Sequence, residues 1–275
     1  MNIDVLKESA FNTVRALIKF VFGKKCISLK GDSNQPFHFP PAEYPSLLAG
    51  VRRTYTQPYD QWESLLRRGD TIFDIGANIG IATQAFYSIL KGDCTIFSFE
   101  PIPRNFKLLQ LNCQELHAHS ITLVNSAVGN YDGDAIFYDN TTFGSLSGLA
   151  QVMKTKQKDR DDWREYEELK VHIIKIDTFL NKNNGLRPNF VKIDVEGAGH
   201  LVLEGMSGML ATSKPLFSCE FHSKEEKEGI RGILKEMGYK GILFPGAGKI
   251  LICQPENSNG NFIHPTDARI TECYI

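Results

Sequence analysis

The sequence predicts an α/β fold, a mostly parallel sheet with helices on both faces, and three observations carry that prediction. Thr71-Ile72-Phe73-Asp74-Ile75-Gly76-Ala77-Asn78-Ile79-Gly80 joins a short apolar strand to a glycine turn, and residues 81–90 then repeat apolar side chains at helical spacing. Strand-like runs at 94–99 and 121–124 enclose residues 105–117, whose Phe106, Leu108, Leu109 and Leu111 mark a crossover helix. Near the end, Gly241-Ile242-Leu243-Phe244 and Ile250-Leu251-Ile252-Cys253 flank Pro245-Gly246-Ala247-Gly248, an antiparallel hairpin that ends the sheet.

The other elements follow in chain order. Val5, Leu6, Ala10, Phe11, Val14, Leu17, Ile18 and Val21 form an apolar stripe opposite Lys7, Glu8, Asn12, Arg15 and Lys19, an amphipathic helix ending near Gly23. Lys19, Lys24 and Lys25 suit a membrane surface, but acids on the polar face and the short length favour packing on the domain or on a sister subunit. Residues 31–60 are rich in proline and aromatics, resist regular structure and suit a lid or wall over a pocket, or an ordinary covering loop. Residues 1–62 are therefore expected to form a cap ahead of a main domain at 63–275.

After Asn125-Ser126-Ala127 the alternation breaks. Asp132-Gly133 signals a turn, and 135–138 and 171–176 read as short strands, so a hairpin-like insertion is expected at about 131–176. Charges of both signs crowd 153–170, which reads as a solvated helix or mobile loop rather than a phosphate-binding patch. Residues 189–197 form a strand ending in acids, followed by a helix through His200, Leu201, Leu203 and Met206. A further strand at 215–222 and a helix at 224–237 precede the closing hairpin.

Whole-chain quantities bound the function. At 275 residues and 42% hydrophobic, the chain can bury one large core, or a core plus a small appendage. A net charge of −1 provides no global basic field, so nucleic acid is not an expected partner, while protein, glycan and small-molecule substrates stay open. Six cysteines without a C-x-x-C pair read as reduced, buried thiols. No apolar run approaches the ~20 residues of a membrane helix. Asp4 and Glu8 stand where a secretion signal would be basic, so a cytoplasmic protein is expected.

The chemistry is read from strand ends. Gly76 lets the backbone turn where a Cβ would clash, and Gly80 lets the helix start pack close to a ligand or strand. Asp74 at the strand's mouth argues against a phosphate and for an ammonium group, and Glu100, before Pro101, is placed to accept hydrogen bonds from both ribose hydroxyls. Each acid alone would more often be a helix cap. The two together, one strand-helix unit apart, describe S-adenosylmethionine. The glycines do not follow G-x-G-x-x-G, which leaves NAD(P) as the rival ligand and a non-catalytic S-adenosylmethionine-binding protein as the rival function.

In order along the chain stand Asp74-Ile75-Gly76-Ala77-Asn78-Ile79-Gly80, Phe99-Glu100-Pro101, Asn125-Ser126-Ala127-Val128-Gly129, Lys192-Ile193-Asp194-Val195-Glu196-Gly197 and Glu220-Phe221-His222. This ordered set resembles the FkbM family of S-adenosylmethionine-dependent O-methyltransferases over about residues 65 to 225. The resemblance implies a Rossmann-like class I methyltransferase fold with seven strands ordered 3-2-1-4-5-7-6, and methylation of a hydroxyl on a sugar, glycan or natural-product scaffold. It also implies that Asp74, Gly76, Ala77, Asn78 and Gly80 cradle the methionine end, that Glu100 and Pro101 lie at the ribose, and that Ser126 and Ala127 flank the adenine. Where the family usually has a further acid two residues after Val-Glu-Gly, this chain has Gly199, so a role for that acid would be missing.

Methyl transfer from a sulfonium is an in-line displacement that depends on holding the acceptor oxygen collinear with the S–CH3 bond. The hydroxyl must also lose its proton. Asp194, Glu196, Glu220 and His222 are the candidates, with His222 preferred as base because imidazole titrates near neutral pH. A histidine bonded for structure alone is the competing reading. Magnesium on Asp194, Glu196 and Glu220 is the less favoured alternative, Lys192 and Glu196 could equally form an ion pair, and a homo-oligomer is compatible with the sequence.

Overall fold

The computed structural model describes residues 13–14, 16–31, 34–49, 56–116, 119–140, 147–150, 152, 166–183, 185–243 and 250–256. The expected turn at 245–248, the start of the amphipathic helix and the charged residues 153–165 lie outside the described residues.

The described chain opens with helical residues 13–14 and 16–22 and an antiparallel pair, β1 (Ile27–Lys30) and β2 (Pro36–Phe39). A 3-10 turn (Pro45–Ala49) and helix α1 (Thr56–Leu65) lead to β3 (Thr71–Ile75), α2 (Ile81–Ile89), β4 (Thr95–Phe99), α3 (Pro103–Cys113) and β5 (Ile121–Val124). Next come β6 (Ala127–Val128), β7 (Gly133–Asn140), β8 (Gly148–Leu149) and β9 (Tyr166–Ile174). The chain continues through α4 (Ile176–Lys182), β10 (Phe190–Ile193), α5 (Gly199–Glu204), α6 (Ser207–Thr212), β11 (Leu216–Glu220), α7 (Lys224–Glu236), β12 (Tyr239–Leu243) and β13 (Ile250–Pro255).

The main sheet runs β12-β13-β11-β10-β3-β4-β5, with β11, β10, β3, β4 and β5 parallel and β13 antiparallel to both its neighbours. Its central strands are apolar on both faces, as a sheet covered on both sides requires. Phe73, Ile75, Val191, Ile193 and Phe217 pack against Val202, Met206, Leu210 and Ile230 on one side. Ile72, Ile96 and Phe190 meet Trp62, Ala85 and Phe86 on the other. Register breaks this apolar pattern along one line. Ser218, Lys192, Asp74 and Ser98 are successive neighbours across four strands, and all four are buried.

Elsewhere the structure departs from the expectations. Residues 31–60 are more regular than their prolines suggest, because Pro36 opens β2, where no ladder donor is lost. Phe37, Phe39, Tyr44 and Leu47 pack with Ile79 and Ile81, so this segment shares a core with the glycine turn. The insertion is a sheet ordered β6-β9-β7-β8, in which β7 and β9 pair over eight residues. Part of the expected charged loop, residues 166–170, is therefore strand, and Ile176 starts a helix. Of the expected N-terminal stripe, the described residues Val14, Leu17 and Val21 are 56%, 61% and 59% exposed and Ile18 is half-buried, while Val5, Leu6, Ala10 and Phe11 lie outside the described residues. Cys26 is also exposed, against the expectation of buried thiols, whereas Cys94, Cys113, Cys219 and Cys253 are buried and free. No helix of the described residues is long and apolar enough to cross a membrane.

Candidate functional site

A cavity of about 540 Å3 opens at the carboxyl ends of β3, β4 and β10, the edge where parallel sheets place ligands. Its floor is the turn after β3. Gly76 there has φ +77°, and a Cβ would meet the carbonyl oxygen of Asp194 at 1.9 Å, so the backbones of two strand ends can touch only at glycine. The backbone N–H groups of Gly76 and Ala77 donate to the carbonyl of Phe99, tying the turn to β4.

Glu100 lies at the end of β4 and lines the cavity. Its Oε2 accepts from the Asn78 backbone N–H at 2.9 Å and its Oε1 from that of Ile102 at 2.8 Å. Burial nevertheless dominates and pushes the carboxyl up to about 7. The Asn105 side chain donates to the same carboxylate. Pro101, Ser126 and Ala127 line the same wall, and Phe137 and Leu149 of the second sheet close it. Opposite them, the Tyr44 hydroxyl reaches Asn78 Oδ1 at 2.9 Å and Asn105 Oδ1 at 3.1 Å.

Two residues expected to cradle the ligand do not line this cavity. Asp74 is fully buried beneath the turn, where its Oδ2 accepts from Thr83 Oγ1 at 2.7 Å and its Oδ1 lies 3.1 Å from Lys192 Nζ. Lys192 also donates to the Gly76 carbonyl at 2.7 Å, so the acid holds the lysine that holds the turn. Gly80, at φ +95°, makes room for a neighbouring helix: a Cβ would meet Leu109 Cδ1 at 2.8 Å. Gly76, Ala77, Asn78, Glu100, Pro101, Ser126 and Ala127 do line the cavity.

At the β10 end, Asp194 and Glu196 line the cavity, and His222 lies behind them. His222 Nε2 is 3.2 Å from Asp194 Oδ1, and its Nδ1 is 3.4 Å from Glu196 Oε2. Strand alternation does not align these acids, because β10 ends at Ile193 and Glu196 has φ +50°. That turn, unusual for a residue with a Cβ, swings the carboxylate toward the imidazole. Burial would lower the His222 pKa, but Asp194, Glu196 and Glu220 outweigh it and raise it. Burial would raise Asp194, and Lys192 and His222 together hold it below its ordinary value. The ion pairs of Lys192 run to Asp74 and, at 3.7 Å, to Asp194.

Asp194, Glu220 and His222 each bring one ligand atom within 4.8 Å of the others. The carboxylates suit magnesium, whereas the imidazole and the nearby ammonium of Lys192 do not. The donor set therefore fits that ion only in part.

Glu226 was not anticipated. It is 2% exposed; its Oε2 accepts from the His222 backbone N–H at 2.6 Å and its Oε1 from that of Gly199 at 2.8 Å. A Cβ at Gly199 would stand 3.1 Å from that Oε1, so an acid from α7 occupies the space beside the missing one. Its signal was present as Ser223-x-x-Glu226, the capping-box spacing, and Ser223 does cap α7. Tyr44 had a weaker signal, one aromatic among several in a proline-rich stretch.

Comparison with known proteins adds to this geometry. The profile of the family described as the methyltransferase FkbM domain matches residues 74–240, more than half of the chain. Methyltransferase 1 of Beauveria bassiana (strain ARSEF 2860) is 28% identical over 144 residues, covering 49% of this chain and 57% of that protein. The hexuronic acid methyltransferase AglP of Haloferax volcanii is 26% identical over 167 residues, 61% of this chain and 62% of that one. The chain thus spans about three fifths of the length of these curated relatives. A crystal structure of a methyltransferase FkbM from Methylobacillus flagellatus KT aligns with a TM-score of 0.49 at 19% identity, over 69% of this chain and 45% of that one.

Proposed function

The chain belongs to the FkbM methyltransferase family, and from that premise we propose that it is an S-adenosylmethionine-dependent O-methyltransferase acting on a hydroxyl of a sugar, glycan or related small molecule. The observation that carries the reading is one cavity bordered by the Gly76–Asn78 turn, the Glu100 carboxylate and the Asp194–Glu196 pair. In it, Gly76, Ala77 and Asn78 receive the methionine end of the donor, and Glu100 accepts from the ribose hydroxyls. Pro101, Ser126 and Ala127 face the adenine. The relative named for hexuronic acid supports a sugar as acceptor.

S-adenosylmethionine supplies an electrophilic methyl group; the protein's task is to align the acceptor and receive its proton. Asp194 and Glu196 accept a hydrogen bond from the acceptor hydroxyl, and the proton passes to the cluster they form with His222. For the cluster to take it, the imidazolium held between two carboxylates must first release its own proton. This refines the simple picture of His222 as a base already free at neutral pH, because the surrounding acids favour its charged form.

A second reading, favoured by the proximity of Asp194, Glu220 and His222, places a divalent cation on those three residues. Chelation that abolishes turnover, with recovery on adding magnesium, would support it. The primary test is calorimetry with S-adenosylhomocysteine, followed by a screen of hydroxylated sugars with a labelled methyl donor. Binding of NADH without binding of either adenosyl compound would refute the proposal.

A further inference from the structure

We propose that the N-terminal helical segment docks on an anionic lipid surface, beside the mouth of the cavity. Residues 13–14 and 16–22 are helical, yet Val14, Leu17, Phe20 and Val21 are 56%, 61%, 88% and 59% exposed. At helical spacing these four side chains fall in one arc of roughly 120°. Ile18, next to the arc, is half-buried and lines the cavity together with Val14, so one short helix borders both the cavity and the bare apolar face.

Charge selects the occupant. Between Ser9 and Gly31 the sequence carries Arg15, Lys19, Lys24, Lys25 and Lys30 and no acid, although the whole chain has a net charge of −1. Lys19, Lys24, Lys25 and Lys30 are exposed. An apolar face beside exposed lysines is the pattern of a helix lying in the headgroup layer, with its apolar side chains at the acyl boundary and its ammonium groups on lipid phosphates. A second copy packed face to face would oppose the same cations across a two-fold axis. A lipid surface, rather than only the domain or a sister subunit favoured by the acids of the polar face, is then the segment's partner, and the helix lies on that surface rather than spanning it. An acceptor presented at that surface would then meet the cavity directly; that consequence alone rests on the methyl-transfer reading.

The test is co-sedimentation of the full chain with vesicles of phosphatidylglycerol and phosphatidylcholine, compared with phosphatidylcholine alone. We expect about tenfold or greater preference for the anionic vesicles, weakening with salt. The L17E/F20E variant should lose vesicle binding, and K19E/K25E should lose the anionic preference. Neither should change S-adenosylhomocysteine binding by calorimetry. The proposal fails if the wild type ignores anionic vesicles or if L17E/F20E binds them undiminished. It also fails if the wild type is a dimer that L17E/F20E converts to a monomer without any vesicle binding. Vesicle binding without S-adenosylhomocysteine binding would instead sink the donor assignment and leave the docking intact.

Discussion

Glu100 takes two backbone hydrogen bonds and still titrates near neutrality, because burial outweighs them and its pKa stands at about 7. An ionised carboxylate accepts ribose hydroxyls better than a protonated one. S-adenosylhomocysteine affinity should therefore rise with pH through that pKa. Calorimetry between pH 6 and 8 should show the rise in the wild type and a flat, weaker profile in Glu100→Gln. His222 moves in a different sense. Its folded pKa lies above its ordinary 6.5, so its ionic contacts stabilise the fold fully below 6.5, and that stability is lost as pH rises through the folded value. Turnover should climb over the same range, and His222→Ala should flatten the climb and cost on the order of 10²-fold. Glu196 separates backbone from chemistry. Its φ of +50° strains a residue with a Cβ by about 1–2 kcal/mol. Glu196→Gly relieves that strain at a comparable entropic cost, so we expect a near-native melting temperature together with much reduced turnover.

At the scale of elements, Glu226 joins two segments that sequence alone does not connect. Glu226→Ala would leave the Gly199 and His222 N–H groups without their acceptor at the start of α5 and the end of β11. Buried donors left unpaired cost roughly 1–3 kcal/mol each. A lower denaturation midpoint is expected, with reduced kcat and little change in S-adenosylhomocysteine affinity, whereas Glu226→Gln, which accepts from one N–H but turns its NH2 toward the other, should recover at most about half of the stability. An unchanged midpoint in Glu226→Ala would refute the tie. The same contrast explains what was legible. β3, β4, β10 and β11 announce themselves as apolar runs with acids or glycine at their ends, β5 as a short β-prone run before Asn125, and α2 and α3 by their spacing. The hairpin at 27–39 did not, because its strands are four residues each and one begins with proline. The sequence marks Asp74 as special and points it at the ligand, because a strand position does not reveal that Lys192 is its lateral neighbour. Glu196 was found by its type, but its aim at His222 depends on a left-handed turn that no periodicity encodes.

At the scale of the whole molecule, three units wall the cavity: the N-terminal segment through Tyr44, the main sheet through Glu100 and Asp194, and the second sheet through Phe137 and Leu149. Arg104, on α3, is where all three meet. Its Nε and Nη2 grip the Asp139 carboxylate at 2.6 and 2.7 Å, its Nη2 also donates to the Asn140 carbonyl at 2.7 Å, and its Nη1 pairs with Glu43. The Asp139 side chain is only 5% exposed, so this is a shielded contact rather than a surface ion pair. Removing one partner of such a pair strands the other in a poorly solvated place, a loss on the order of 3 kcal/mol. Arg104→Met should therefore lower the free energy of unfolding by about that amount. It should also weaken S-adenosylhomocysteine binding, since Glu43 and Ser147 line the cavity and Ser147 Oγ donates to Asp139 at 2.7 Å. Arg104→Lys keeps the charge but cannot span Asp139 and Asn140 with a planar fork, so it should recover only part of both losses. If Arg104→Met loses stability while the cavity binds the ligand unchanged, the network fastens the two peripheral units without shaping the site between them.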